Sequence, residues 1–166
     1  MQLTPIGIIH TPFKEIAAMP IQPSGAVGVA GQIELHPELL TGLKDLAGFS
    51  HIIVLYQFHR ISRTDLTVTP FLDSEPRGIF ATRAPTRPNP LGLSVLALQA
   101  IRDNLLMVEN VDMLDGSPLL DIKPYVPAFD QATEVRTGWL QKNSDRAKTT
   151  RSDNRFKEQI MKGPDQ

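Results

Sequence analysis

His51-Ile52-Ile53-Val54-Leu55-Tyr56-Gln57-Phe58 is the stretch on which the fold turns. From Ile52 to Tyr56 no polar residue interrupts the run, so both faces of this segment are expected to be buried, which makes it a central strand. Around it, Pro and Gly account for 25 of 166 residues and separate short apolar runs. That punctuation favours many short strands over long helices. Outward from the central run, candidate strands are Ile6–His10, Val27–Leu35, Ile79–Thr82, Ser94–Ile101, Leu105–Val111 and Pro118–Ile122. One short helix is expected at Pro37–Leu46. Pro37 suits a first helical turn, Leu39, Leu40, Leu43 and Leu46 recur at helical spacing, and Gly48 ends it. Antiparallel strands at this spacing tend to close on themselves, because closure removes unpaired edges. The expected fold is mostly β: an antiparallel, partly open β-barrel with a few short helices and a basic C-terminal tail.

A chain of 166 residues is long enough to bury one continuous core without covalent staples. Hydrophobic residues at 41% and charged residues at 21% give the balance of a globular domain. The absence of cysteine excludes disulfides, thiolate nucleophiles and cysteine-ligated metals, and fits a reducing compartment. Met1 to Phe13 lacks the basic-then-apolar pattern of a secretory leader, and no 18 apolar residues run together. The expectation is a cytoplasmic protein that does not enter a membrane, with a barrel domain over 1–138 and a basic tail over 139–166.

Charge is uneven along the chain. Met1 to Glu134 carries 9 Lys and Arg against 14 Asp and Glu, whereas Val135 to Gln166 carries 8 against 4. A basic tail on an acidic body is one layout for a protein that touches nucleic acid, and equally the solvated end of a domain. After Gly138 the apolar anchors reduce to Trp139, Leu140 and Phe156, so this tail reads as helical or loosely ordered.

The most unusual segment is Arg77-Gly78-Ile79-Phe80-Ala81-Thr82-Arg83-Ala84-Pro85-Thr86-Arg87-Pro88-Asn89-Pro90-Leu91-Gly92-Leu93-Ser94. Pro85, Pro88 and Pro90 fix φ and supply no N–H, so they stiffen a loop between strands. Arg77, Arg83 and Arg87 are expected to converge near that loop, where three cations repel unless an anion or a carboxylate such as Asp73 or Glu75 lies among them. A second cluster runs from Asp112-Met113-Leu114-Asp115-Gly116-Ser117-Pro118 to Asp121 and Tyr125, with a turn at Asp115–Pro118. It is either a hairpin with acidic solvation or a set of carboxylates and amides that hold polar parts of a ligand. His59-Arg60 follows the central strand directly. His10, His36 and His51 lack metal-ligand spacing, so no metal is expected. Dinucleotide, P-loop and serine-hydrolase fingerprints are absent.

The arginine- and proline-rich segment together with Asp112–Tyr125 resembles the TrmO (TsaA-like) family. The likeness extends over roughly residues 6 to 130, through Ile6-Gly7-Ile8-Ile9-His10-Thr11-Pro12-Phe13, Phe49-Ser50-His51 and Phe58-His59-Arg60. This resemblance implies a β-barrel methyltransferase that binds S-adenosylmethionine without a Rossmann domain, usually as a homodimer. It implies a tRNA substrate, methylated on N6 of threonylcarbamoyladenosine beside the anticodon. Carried over position by position, Pro20, Ile21 and Gln22, then His59 and Arg60, then Arg83 and Leu93, and finally Asp112, Met113, Leu114 and Asp115 match cofactor-binding positions. Arg87, Asn89 and Asp121 belong to the surrounding motifs. No catalytic residue is assigned, although Asp115, Asp121 and His59 are candidate proton acceptors. The alternative is a non-enzymatic barrel that binds an adenosine-containing ligand or RNA. The resemblance also implies that the family's longer members carry a further C-terminal domain.

Overall fold

The structure, a computed structural model, describes residues 2–157; positions 158–166 of the expected tail lie outside the described residues. Its strands are β1 (Gly7–His10), β2 (Ala30–Leu35), β3 (His51–Gln57), β4 (Thr67–Val68), β5 (Arg77–Gly78), β6 (Leu91–Arg102), β7 (Leu105–Glu109) and β8 (Ser117–Pro124). Six of them form a closed barrel in the order β1-β2-β7-β6-β3-β8, with every pairing antiparallel. β4 and β5 make a small separate ribbon.

Closure is complete where a partly open barrel was expected, because short β1 pairs on both sides, Gly7 facing Leu35 on β2 and Leu119 on β8. A side chain at Gly7 would strike the Glu34 carbonyl, so glycine is what allows β1 to approach β2 so closely. β3 is indeed central, between β6 and β8. Its burial nevertheless alternates: Ile52, Val54 and Tyr56 are buried, while Ile53 and Leu55 are only half-buried. A barrel has one filled interior and one outer face, so alternate residues of even an unbroken apolar strand point outward. The interior holds Ile9, Ile33, Ile52, Val54, Leu96, Leu106, Val108 and Leu119 among others.

Two expected elements take a different form. Ile79–Ala81 is one 3₁₀ turn rather than a strand: the Ile79 amide still donates to the Leu66 carbonyl at 3.0 Å, but the Ile79 carbonyl then accepts from the Thr82 amide and turns the chain out of the ribbon. Pro37–Leu43 and Leu46–Gly48 are 3₁₀ turns separated by a break at Lys44 and Asp45, whose φ is +67°. Leu39 and Leu40 stay exposed while Leu43 and Leu46 pack on the core, so the stripe of leucines is only half used. The Asp115–Pro118 turn is not part of a hairpin. β7 pairs with β2 and β6, and β8 with β1 and β3, so the segment from Asn110 to Gly116 crosses an end of the barrel.

Candidate functional site

The crossover, the end of β3 and the start of β6 meet at the same end of the barrel, as Tyr56 pairs with Gly92 and Leu119, and Ile9 with Ser117. There they bound an open groove of about 960 Å³. Its floor carries a chain of polar groups. Ser94 Oγ donates to Asp112 Oδ1 at 2.6 Å and lies 3.3 Å from the Tyr56 hydroxyl. Because the single Ser94 proton goes to the carboxylate, the tyrosine is the donor in the second bond. Burial pushes the Asp112 carboxyl up to about 6, against the lowering effects of the Ser94 bond and the Arg83 charge. Burial, and then the Asp112 charge, raise the Tyr56 phenol well above its ordinary range, so it remains a donor. The Tyr56 ring lies directly against Gly92, where an added Cβ would fall on the ring carbons.

The arginine loop is arranged otherwise than its sequence suggested. Arg77 is taken by Asp73, with Nε and Nη2 2.8 and 2.7 Å from the same carboxylate oxygen. Arg87 turns Nη1 onto the carbonyls of Thr82 at 2.8 Å and Ile79 at 3.2 Å. The prolines of this loop provide no N–H donors, so a guanidinium that can satisfy several carbonyls stabilises it from within. Only Arg83 reaches across the groove, donating to Gln22 Oε1 at 2.8 Å. The three guanidinium groups therefore share no common anion: a carboxylate and backbone oxygens occupy two of them.

Of the residues singled out in the sequence, Pro20, Ile21, Gln22, His59, Arg60, Arg83, Leu93, Asp112, Met113 and Leu114 all line this groove. Asp115 does not. It accepts from the Thr11 amide at 2.9 Å and pairs with Lys14 at 2.6 Å, which holds its carboxyl below the usual range. Asp121 pairs with Lys123 at 2.7 Å, and neither it nor Asn89 reaches the groove lining. His59 does reach it. Burial, reinforced by the neighbouring Arg60 charge, lowers the His59 pKa and keeps the imidazole neutral at pH 7.

One wall of the groove was missed in the sequence. Leu140, Ser144, Ala147, Ser152 and Phe156 of the C-terminal segment line it, together with Trp139. This segment is tied down along its length. Trp139 Nε1 donates to the Ala81 carbonyl at 2.8 Å, and its ring lies 5.9 Å from the Arg77 guanidinium. The Ser152 hydroxyl donates to the Ile16 carbonyl and accepts from the Met19 amide at 2.9 Å, while Pro20 and Arg151 form an isolated bridge. Phe156 is buried against Phe71, Val68, Ile79 and Ala84. Trp139, Leu140 and Phe156 were the available signal, but their irregular spacing matches neither a helical nor a strand period.

Among the described residues no group of His, Asp or Glu could hold a metal, and no helix is long and apolar enough to cross a membrane. A family model, the tRNA-methyltransferase O N-terminal domain, matches residues 8–131. A protein of Pyrococcus abyssi named as a probable S-adenosyl-L-methionine-binding protein is 53% identical over 152 residues, covering 92% of this chain and 83% of its own length. The Escherichia coli tRNA (adenine(37)-N6)-methyltransferase is 32% identical over 150 residues, covering 84% of this chain and 64% of its own length. The crystal structure of TrmO from Pseudomonas aeruginosa superposes with a TM-score of 0.71 at 38% identity, over 84% of this chain and 62% of that one. The chain thus spans somewhat under two thirds of these last two proteins. With its closed barrel and a family match spanning residues 8–131, the chain belongs to the family defined by the tRNA-methyltransferase O N-terminal domain.

Proposed function

We propose that this chain is an S-adenosylmethionine-dependent methyltransferase acting on N6 of adenine in tRNA, with threonylcarbamoyladenosine beside the anticodon as the substrate. The observation that carries the reading is the gathering of Gln22, His59, Arg83 and Asp112, from four separate parts of the chain, around one groove at the barrel end. The residues fit the methyl donor. The groove has room for a nucleoside with an amino-acid arm, its walls are largely apolar, and the Asp112 carboxylate at its floor offsets a sulfonium charge. Bound there, S-adenosylmethionine supplies an electrophilic methyl group on sulfur.

Adenine N6 is a weak nucleophile, so the contribution expected of the protein is chiefly alignment, worth on the order of 7 kcal/mol or more when reacting atoms are held at near-attack distance. The rigid proline loop and the strand ends provide fixed walls for that alignment. A proton must then leave N6. His59, neutral at pH 7, and Asp112 are the groove groups suited to receive it, whereas Asp115 and Asp121 are held elsewhere by lysines. Arg83 offers a guanidinium to the threonylcarbamoyl carboxylate or to a phosphate.

Calorimetry with S-adenosylmethionine, followed by transfer of labelled methyl to tRNA carrying threonylcarbamoyladenosine, tests the reading. Nucleoside mass spectrometry should then show a mass gain of one methyl on that nucleoside. Donor binding without transfer to any tRNA nucleoside would make the chain a binding module instead.

A further inference from the structure

The C-terminal segment that walls the groove has two faces. Leu140, Ser144 and Ala147 line the groove, and interleaved with or next to them Lys142, Arg146 and Lys148 are exposed. Over 135–157 there are seven Lys and Arg against two Asp, on a body whose first 134 residues are net acidic. Lys142 and Arg146 have no carboxylate within ion-pair distance among the described residues, and Lys148 meets only fully exposed Asp145, at 3.6 Å. Exposed ion pairs of this kind contribute almost nothing to stability, so these cations are not there to hold the segment in place. That task falls to Trp139, Ser152 and Phe156. Phe80 also lines the groove while 76% exposed, with the Arg87 guanidinium 5.9 Å from the ring centroid, and its neighbour Ala81 accepts the Trp139 hydrogen bond. An exposed aromatic face near a row of exposed cations is the combination that binds unstacked bases and their phosphates.

We propose that the outer face of the 140–148 segment, together with exposed Phe80, is the RNA-docking surface: Lys142, Arg146 and Lys148 hold loop phosphates while an unpaired base beside the target stacks on Phe80. The inference rests on the methyltransferase reading above and adds the surface that presents its substrate. Because the same segment is at once groove wall and phosphate rail, an RNA bound on its outside places an extruded base over the groove within a few residues' reach. A duplex does not satisfy this arrangement, since its bases are not available to the aromatic ring.

The test is the full-length triple variant Lys142→Glu, Arg146→Glu, Lys148→Glu, with Phe80→Ala as a second protein. Each is compared with the unaltered chain for binding to tRNA over a series of salt concentrations and for calorimetric affinity toward S-adenosylmethionine. The triple variant should bind tRNA at least about 10-fold more weakly, and the slope of log affinity against log salt should fall by about 2, as three phosphate contacts on a single strand imply. Donor affinity should stay within about two-fold of the unaltered chain, since the three side chains face away from the groove. Phe80→Ala should weaken tRNA binding about 10-fold with the salt slope unchanged. Equal tRNA affinity and equal salt slope in the triple variant would overturn the docking surface while leaving the methyltransferase reading intact. An unaltered chain that binds the donor but no RNA at any salt would overturn both.

Discussion

Ser94 and Asp112, eighteen residues apart on β6 and the crossover, meet at 2.6 Å with the serine hydroxyl donating to the carboxylate. This contact couples the filled interior of the barrel, where Tyr56 abuts Ser94, to the floor of the groove. It also makes a carboxylate tolerable where solvent is largely excluded.

Asp112 carries a pH signature. Its folded pKa of about 6 lies above the ordinary value, so between roughly pH 4 and 6 the folded state binds more protons than the unfolded state. This residue's contribution is thus most favourable below pH 4 and is lost as pH rises through 6. Asp112→Asn, which keeps an acceptor for Ser94, should gain stability over the unaltered protein between pH 5 and 7, by ~1–2 kcal/mol at the upper end. Denaturant unfolding at several pH values measures the difference, and a pH-independent offset would contradict the assignment.

Arg83 and Arg87 should fail in different ways. Among the described residues Arg83 bonds only to Gln22, across the groove, so Arg83→Ala should leave the melting temperature within a degree or two and reduce methyl transfer on the order of 100-fold. Arg87 holds the loop by its carbonyls, so Arg87→Ala should cost ~1–3 kcal/mol of stability before any effect on turnover is considered. Thermal melts beside single-turnover assays separate the two.

Gly92 marks a close approach. Any Cβ there would fall on the buried Tyr56 ring, whose hydroxyl is held by Ser94, so the ring must shift and strain that contact. Gly92→Ala should destabilise by ~1–3 kcal/mol, as overpacking does, whereas Gly42→Ala, where the added atom meets nothing, should be nearly silent. Urea midpoints of the two variants provide the comparison.

Removing the groove wall should cost donor affinity. Ser152→Ala deletes the hydroxyl that joins the Ile16 carbonyl to the Met19 amide, loosening the segment beside Pro20, Ile21 and Gln22. Calorimetry should show S-adenosylmethionine binding weakened about 5- to 10-fold, in line with ~1 kcal/mol for such a bond. Unchanged affinity would show that the wall is dispensable for the donor.

Much of the barrel was legible in the residues because its strands obey local rules. β3 announced itself by an unbroken apolar run, β2 by the alternating Val27, Val29, Ile33 and Leu35, and the turns by Gly and Pro. The arginine loop was legible as stiff, since proline restricts its own residue whatever surrounds it. Its charge arrangement was not, because whether Arg87 faces a ligand or its own loop depends on which carbonyls the fold leaves without donors. The turn at Asp115–Pro118 shows the same limit. A turn is specified locally, but whether it joins neighbouring strands depends on pairings made far away in the chain.

The sequence by itself determined strand content, the rigid loop and the set of side chains able to serve a groove, because backbone propensity and side-chain chemistry belong to single residues and near neighbours. Only the tertiary structure decided that the barrel closes, that Asp112 lies under Ser94 while Asp115 is drawn off to Lys14, and that a basic tail becomes a wall. Those outcomes depend on contacts between residues as much as 136 positions apart, as between Ser152 and Ile16, and the energy of such a contact exists only once the chain has brought both partners together.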